Sequence, residues 1–372
     1  MSVRNIIAAV ALLLPTLIYA DWTGGVKKPS TIEKEGKAFY EIESAENLAW
    51  LATQVNKGNP NYNAILKNDV AITSSKVSSE TIKWISIGTD STTFNGVFDG
   101  AGYKVSGFYS QGKYAGLFGF IGEGAVVKNL KLDNALAQGD NGIAGILAAS
   151  FGGDSIIDVQ VSGTVLADSL AGGLAGQLTG RNFIVHSRSN AKIGSKYYAG
   201  GFVGSVKGSV HFYRTVGDCA LDSATNTGAV GGFVGYVENK AFFFNDTNVA
   251  NIIYGAKQSS SAIGGFVGNS KSISTTQFEE CVNKGNLYGS KKNNMGGFIG
   301  NSNGHVNIFT AVNEGKIENG NTCGGFIGNF NASHAIIRDV VNRGYMDNTA
   351  SGGIIGTSGG GFSSLTRLRI VV

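Results

Sequence analysis

The histidines and cysteines are the side chains of this sequence that could bind a metal or act as nucleophiles. They are His186, His211, His305 and His334, together with Cys219, Cys281 and Cys323. We assign the histidines to four different phases of the repeat that dominates the chain, and no His-Glu-x-x-His phrase occurs. The cysteine separations of 62 and 42 residues do not fit zinc-ligand pairs. We therefore predict no metal, no cofactor and three buried thiols.

Carboxylates could supply acid–base chemistry if two of them met in one site. Asp90, Asp99, Asp133 and Asp140 lie in sequence surroundings typical of solvated turns, and no spacing brings two of them together. A pair could still assemble across successive repeats. An enzyme that degrades polysaccharide therefore stays open as an alternative, although no catalytic residue is predicted.

Composition indicates a folded protein with many tight turns. Glycine accounts for 56 of the 372 residues, about twice the usual share, while 42% of residues are hydrophobic and 15% are charged. The formal net charge is +4, and lysines and arginines are scattered singly or in pairs. Because neither a nucleic-acid footprint nor a polybasic patch is present, we predict no nucleic-acid partner.

Residues 1–20 have the pattern of a secretory signal peptide. Arg4 precedes an apolar run from Ile6 to Ile18, and Ala20 is a small residue at the expected cleavage position. This run is shorter than the about 20 residues that a spanning helix needs, and no later segment approaches that length. We predict a mature chain without a membrane span that is secreted or held at the cell surface.

One short phrase recurs through the rest of the chain. It reads Gly or Ala, Gly, two apolar residues and Gly, although Ala148 replaces the closing glycine in the second copy. The third residues of its nine copies are Leu117, Ile146, Leu174, Phe202, Phe233, Phe266, Phe298, Phe326 and Ile354. The intervals between them are 29, 28, 28, 31, 33, 32, 28 and 28 residues. Such a period is typical of a solenoid, in which stacked repeats share one core.

Strands are expected to fill these repeats, because each copy carries glycines and many β-branched or aromatic residues. A propeller blade usually needs about 40 or more residues, and no proline follows Pro60. We predict an all-β fold, a right-handed parallel β-helix, with the phenylalanines of the phrase in an interior ladder at ~4.8 Å spacing. The paired glycines fit a corner that needs positive φ or close backbone approach. The fourth, apolar residue requires either a bend or a covered outer face.

A second phrase follows the first by about half a period in the later repeats. It contains Asn283, Asn313 and Asn342, each followed two residues later by glycine. These asparagines could stack upon one another, but as turn residues they need no further role.

The segment before the repeats has a different pattern. Ser44 can cap a helix near residues 44–56 whose apolar side contains Leu48, Leu51 and Val55. Because a terminal turn exposes strand edges and core, we expect this helix to cap the solenoid. The predicted organisation is a signal peptide at residues 1–20, a cap region at 21–106 and solenoid repeats at 107–372.

Several phrases of the sequence occur together in one bacterial repeat family. They are Ala115-Gly116-Leu117-Phe118-Gly119, Gly201-Phe202-Val203-Gly204, Phe94-Asn95-Gly96-Val97-Phe98-Asp99-Gly100, Ser44-Ala45-Glu46-Asn47-Leu48 and Trp84-Ile85-Ser86-Ile87-Gly88. Over about residues 42–372 the chain resembles the GLUG-motif repeat proteins. The resemblance implies a secreted or surface-exposed, adhesin-like protein, or the repeat portion of a larger surface enzyme such as an immunoglobulin A peptidase.

Ligand binding on the flat faces of such a rod is the predicted function. Aromatic rings there could lie against sugar rings, and we select Tyr114, Tyr197 and Tyr198 as candidate ligand-binding residues, with ordinary turn packing as the alternative. Phe242 and Phe244 flank Phe243, and strand alternation exposes at least one of these rings unless the face is covered. We expect a polysaccharide or a surface protein as the partner. A polysaccharide-degrading enzyme and a passive structural spacer are the alternatives.

Overall fold

The computed structural model of the protein describes residues 22–72, 76–77, 80–222, 228–253, 262–347 and 351–371. Within these residues the chain forms a parallel β-solenoid of about nine turns, which confirms the predicted fold class. Successive turns pair in register along one axis, as when Val267 pairs with Ile299 and Ile299 with Ile327. The predicted signal peptide and its cleavage position at Ala20 lie outside the described residues.

The strands of each turn form four faces, which we call entry, exit, broad and lateral. The exit face is a sheet of nine strands among the described residues: Phe118–Ile121, Ala148–Phe151, Ala175–Leu178, Val203–Val206, Val234–Val237, Val267–Ser270, Ile299–Ser302, Ile327–Phe330 and Ile355–Ser358. The entry face leads into each glycine corner: Tyr109–Ala115, Leu170–Gly172, Tyr198–Gly200, Ala229–Gly231, Ala262–Gly264, Asn294–Gly296, Thr322–Gly324 and Ser351–Gly352.

The broad and lateral faces follow the exit face in each turn. The broad face contains Lys37–Ile42, Asn63–Leu66, Val97–Asp99, Arg181–Val185, Ser209–Tyr213, Lys240–Phe244, Thr275–Glu279, His305–Phe309 and Ser364–Ile370. The lateral face contains Val70–Ala71, Lys104–Ser106, Arg188–Ser195, Val216–Gly217, Ala220–Asp222, Thr247–Asn248, Ile252–Ile253, Val282–Asn283, Leu287–Tyr288, Val312–Asn313, Ile317–Glu318 and Met346–Asp347. Three long strands continue from one face to the next: Val126–Gly145, Ser155–Ala167 and Ala335–Asn342.

The first turn is closed by an antiparallel strand and a helix. Thr31–Lys34 pairs antiparallel with Lys37–Ile42, whose other edge pairs in parallel with Asn63–Leu66. The helix Ala45–Asn56 connects these two parallel strands, and the Ser44 side chain accepts a hydrogen bond from the Asn47 amide. The predicted apolar side of this helix is buried. Parallel pairing thus begins before residue 107, and a small antiparallel pair, Lys76–Val77 with Glu80–Thr81, lies in the same region.

The glycine corners explain why two consecutive apolar residues of the repeated phrase are both buried. In the turn around Phe298, the entry strand ends at Gly296 and the exit strand begins at Ile299, so the chain bends between them. Phe298 and Ile299 are therefore both fully buried. The bend, rather than a covered outer face, is the reason. A Cβ on Gly297 would collide with the Gly325 carbonyl of the next turn, and neither corner glycine has positive φ, so close backbone approach requires them.

Two columns of phenylalanine fill the core of the later turns. The predicted ladder, Phe202, Phe233, Phe266, Phe298 and Phe326, has ring centroids 4.7–4.9 Å apart. A second ladder from the broad face, Phe212, Phe243 and Phe278, has spacings of 4.8–4.9 Å. The two ladders meet edge to face, as where Phe266 lies 5.4 Å from Phe278. Phe243, the middle residue of the predicted Phe242-Phe243-Phe244 run, belongs to this core.

The repeated asparagines form a buried ladder against the glycine corners. Asn248, Asn283, Asn313 and Asn342 are each at most 1% exposed. Each Nδ2 donates to the Oδ1 of the next turn at 2.7–2.8 Å, and the last donates to the Gly353 carbonyl at 2.9 Å. Their role therefore exceeds that of turn residues, because a buried amide column with every neighbour bonded stabilises one register.

Candidate functional site: the lateral groove

The three predicted tyrosines do not form one surface. Tyr114 is half-buried with its ring edge against Phe120 at 4.6 Å, and Tyr198 lies flat on Tyr236 at 4.6 Å. Strand pairing places Tyr114 and Tyr198 three turns apart, about 14 Å along the axis. Tyr197 is 57% exposed. Burial, with Glu238 nearby, raises the pKa of the Tyr198 hydroxyl, which is consistent with a packed ring.

An aromatic strip on the broad face exposes the edges of its rings to solvent. It consists of Phe183, His211, Phe242, Tyr213 and Phe244. Their rings stack along the axis at 4.6–5.0 Å with interplanar angles of 18–23°. Burial and the Arg181 charge lower the pKa of His211, so its ring is neutral at pH 7. The strip contains two stacks, Phe183–His211–Phe242 and Tyr213–Phe244. Because neighbouring rings cover the faces between them, the strip is a poor platform for stacking sugars.

A polar groove lies on the outside of the lateral face. Its main part has a volume of about 570 Å³ and extends from Asp133 to Ile253. A smaller part of about 230 Å³ adjoins it, reaches Lys104 and shares Asp133, Ser162 and Asn190 with it. Strand pairing places these residues on six successive turns, a length of about 24 Å. We call this recess the lateral groove.

A β-bulge shapes the wall of the lateral groove. The register between neighbouring strands shifts after Leu132, so that Asp133 and Asn134 together oppose Ser162. Asn134 has a φ of 51°, a conformation that asparagine tolerates better than most residues. Asp133 faces outward as Lys131 does, and its Oδ1 accepts a 2.5 Å hydrogen bond from the Ser162 hydroxyl.

The groove combines hydrogen-bonding and charged groups of both signs. Arg188 donates to Asp218 at 2.7 Å, and Lys192, Asn190 and Thr164 complete the middle of the floor. These groups can bind hydroxyl-bearing or charged ligands through several turns at once. Cys219 lies beneath them, and burial raises the pKa of its thiol to about 11, so it is not an activated nucleophile.

Metal-binding geometry is not found in the part of the chain that the structure describes. There, no group of three or more His, Cys, Asp or Glu side chains could hold a metal ion. The assignment of four histidine phases was wrong, because Val306 pairs with Ala335 and the preceding residues, His305 and His334, lie on adjacent turns with ring centroids 5.4 Å apart. The unequal repeat lengths hid this equivalence. All three cysteines are buried, as predicted.

Sequence reasoning missed the groove residues because they belong to no repeated phrase. Asp133 was considered only as a turn carboxylate, and Ser162, Asn190 and Lys192 were not singled out. The available signal was the alternation of apolar and polar residues in Val159-Gln160-Val161-Ser162, which identifies the outward-facing residues of a strand.

None of the described helices is long and apolar enough to cross a membrane.

Comparisons with known proteins place the chain among β-solenoid repeats. No protein-family model matches it, so the GLUG resemblance stays a prediction. A protein named as a glycine-rich membrane protein of Evansella cellulosilytica is 32% identical over 116 residues, and halomucin of Haloquadratum walsbyi is 28% identical over 145 residues. These matches cover 30% and 38% of this chain but only 13% and 2% of the relatives.

Solved structures share the architecture. A crystal structure described as an immunoglobulin A1 protease from Bacteroides ovatus has a TM-score of 0.56 and 21% identity, with 71% of this chain and 80% of that chain covered. A second structure, described as an IgA1 protease, has a TM-score of 0.51 and 16% identity, with 85% of this chain and 23% of that chain covered. At these identities the likeness shows the fold: the chain is a β-solenoid repeat protein similar to solenoids of these proteases.

Proposed function

We propose that the chain is the binding module of a secreted or cell-surface protein and that it holds an extended polysaccharide in the lateral groove. One observation carries this proposal: the groove crosses six turns and presents hydroxyl, amide and charged groups at the spacing of the strands. A linear polymer can contact such a recess through several turns at once, so that weak contacts add along its length. One distant relative is named as a membrane protein, which is consistent with a protein held at the cell surface.

Binding rather than cleavage is proposed because the groove lacks an activated group in the described residues. Asp133 is hydrogen-bonded to Ser162, and Asp218 is paired with Arg188. Asp133 is exposed and Asp218 is partly exposed, and neither is enclosed by apolar side chains as a catalytic carboxyl commonly is. A polysaccharide lyase or hydrolase is therefore the alternative that the experiment must exclude.

The experiment measures retention and cleavage together. The mature chain is incubated with a panel of soluble polysaccharides, and binding is followed by affinity gel electrophoresis while reducing or unsaturated ends are assayed in the same samples. We expect retention by at least one polymer without release of ends. Release of ends would replace the binding proposal by the enzyme, and neither retention nor release would leave the passive spacer.

A matched pair of variants tests the groove itself. Asn190→Trp fills the groove from an exposed position shared by its two parts, and we expect it to abolish retention. Asn239→Trp adds the same ring at an exposed amide outside the groove and should bind as the unmodified chain does. Equal loss in both variants, or in neither, would show that the ligand binds elsewhere.

A further inference from the structure

We propose that the smaller part of the lateral groove selects an anionic polysaccharide, one that carries carboxylate or sulfate groups. This inference rests on the proposed function, because it names the ligand class of the same groove. Lys104, Lys131 and Arg188 line that part of the groove together with a single acid, Asp133. The acids paired with Lys104 and Arg188, which are Asp69 and Asp218, lie outside this lining, and Lys131 makes no ion pair among the described residues.

The three bases belong to one column of the lateral face. Lys104 pairs with Lys131, Lys131 with Gln160, and Gln160 with Arg188. Their backbone positions are therefore separated by ~4.8 Å per turn, which gives a row of two cations, one amide and one further cation. A row of this kind matches a polymer with anionic groups repeated along its chain better than it matches a single small anion.

The pairing of the two lysines is unfavourable without a ligand. Like charges directly opposite each other on neighbouring strands destabilise a sheet. Lys104 has one acidic neighbour, Asp69, at 3.8 Å. Lys131 is exposed and makes no ion pair among the described residues. A bound anion between the two ammonium groups would relieve their repulsion and would be held by charge-assisted hydrogen bonds.

The remaining charged groups of the groove are already engaged in ways that keep the bases available. Asp133 accepts the Ser162 hydroxyl at 2.5 Å instead of pairing with a lysine. Asp218 holds the Arg188 guanidinium at 2.7 Å, which fixes its direction while leaving further N–H donors. Lys192, four residues after Arg188 on the strand Arg188–Ser195, extends the basic character into the main part of the groove and makes no ion pair among the described residues.

The test compares each anionic polymer with a neutral polymer of the same backbone. Polygalacturonate is paired with its full methyl ester, and dextran sulfate with dextran, and affinities for the purified chain are measured by isothermal titration calorimetry at two salt concentrations. We expect the anionic member of at least one pair to bind at least tenfold more tightly and to lose affinity as salt rises. Lys131→Gln should weaken this binding about tenfold, Lys131→Arg should restore most of it, and Lys240→Gln, on the broad face, should have no effect.

Each other outcome decides against the inference. Equal affinity for both members of both pairs, or an unchanged affinity in Lys131→Gln, would overturn the anionic selectivity while leaving the proposed polysaccharide binding intact. Binding of poly-glutamate as tight as that of the best anionic polysaccharide would replace the polysaccharide by polyanions in general. Absence of binding to every polysaccharide, neutral ones included, would remove the proposed function as well.

Discussion

The early and the later turns of the solenoid share one backbone path but differ in their core chemistry. In the early turns, residues 97–195, the corner column is Leu117, Ile146 and Leu174, and in the later turns, residues 228–347 as far as they are described, it is phenylalanine. The inward column of the lateral face likewise changes from Leu132 and Val161, through Ser189 and Gly217, to the asparagine ladder. Aliphatic side chains make no directional demands, whereas stacked rings and bonded amides need an exact repeat distance.

The lateral groove lies mainly on the early turns, which have the aliphatic core. The bulge after Leu132 interrupts the pairing of the early strands, whereas the positive-φ corner of Asn129 and Asp158 recurs in the later turns, at Asn245 and Glu280 for example. The described exit strands of the later turns pair without a register shift, and the ring and asparagine ladders stabilise this part of the solenoid. The comparison therefore assigns binding chemistry mainly to the early turns and directional packing to the later ones.

The largest expected effect comes from breaking the crossing of the two ring ladders. Phe266 stacks on Phe233 and Phe298 and meets Phe243 and Phe278 edge to face. Phe266→Ala should lower the free energy of unfolding by about 3–5 kcal/mol, since it leaves a cavity and removes four ring contacts. Chemical denaturation followed by circular dichroism measures the loss.

Two variants calibrate this result. Phe244→Ala, on the half-exposed aromatic strip, should cost about 1 kcal/mol or less, and Ile146→Ala, in the early corner column, about 2–4 kcal/mol. If Phe266→Ala cost no more than Phe244→Ala, the ring ladders would not be what stabilises the later turns.

The pH dependence of stability should also distinguish the two regions. Burial raises the pKa of Asp246 to about 7, although Thr215 and Phe244 donate hydrogen bonds to its carboxyl. The unfolded chain ionises this group near pH 4 and the folded chain only near pH 7, so stability should fall between these values by up to about 4 kcal/mol. Asp246→Asn should flatten this decline in denaturation curves recorded from pH 4 to 8.

Asp99, in the early turns, should change stability with pH in the opposite direction. Burial raises its pKa, but hydrogen bonds from Asn129, the Ala101 amide and Lys34 outweigh burial and lower the pKa below its ordinary value. Its contribution is therefore present above pH 4 and is lost as pH falls further. Asp99→Asn should change stability at every pH above 4 and leave the slope between pH 4 and 7 as it is. A slope that persists in Asp246→Asn would assign the decline to other groups.

The fold could be predicted because the phrases that specify it recur along the sequence. The candidate site could not be predicted, because its residues belong to no repeated phrase. Nine copies of one phrase specify that like residues stack, so the period alone predicted the solenoid and the buried ring of Phe266. The same phrase could not decide whether Gly297 needs positive φ or close approach, since both exclude a side chain. The wall of the lateral groove contains a register shift of one residue at Asp133, which is visible only when the two strands are placed side by side. The aromatic strip was equally hard to predict. Strand alternation predicts that Phe242 is exposed, but it does not predict whether the face or the edge of the ring meets solvent.

A residue exchange between the two regions gives the smallest and most specific test. Asn313→Leu places the early-turn side chain of Leu132 into the ladder, with the same branched shape but a larger volume. The Asn283 amide then loses its acceptor at 2.7 Å and the Asn342 carbonyl its donor at 2.8 Å, although each keeps one backbone partner. Buried polar groups that lose a bond cost about 1–3 kcal/mol, and urea denaturation should show a loss in that range.

The outer asparagine column supplies the control for this exchange. Asn301 donates to Asn269 at 3.2 Å and accepts from Asn329 at 2.8 Å, in the same one-per-turn arrangement but half-exposed on the exit face. Water can replace its lost bonds, so Asn301→Leu should change stability by about 0.5 kcal/mol or less. Equal losses at both positions would mean that the column itself, rather than its burial, is what matters. A larger loss of stability in Asn313→Leu than in Asn301→Leu would show that the later turns accept a polar core only because each buried amide is bonded to the next. Leu132 and Val161, at the equivalent positions of two early turns, need no such bonds.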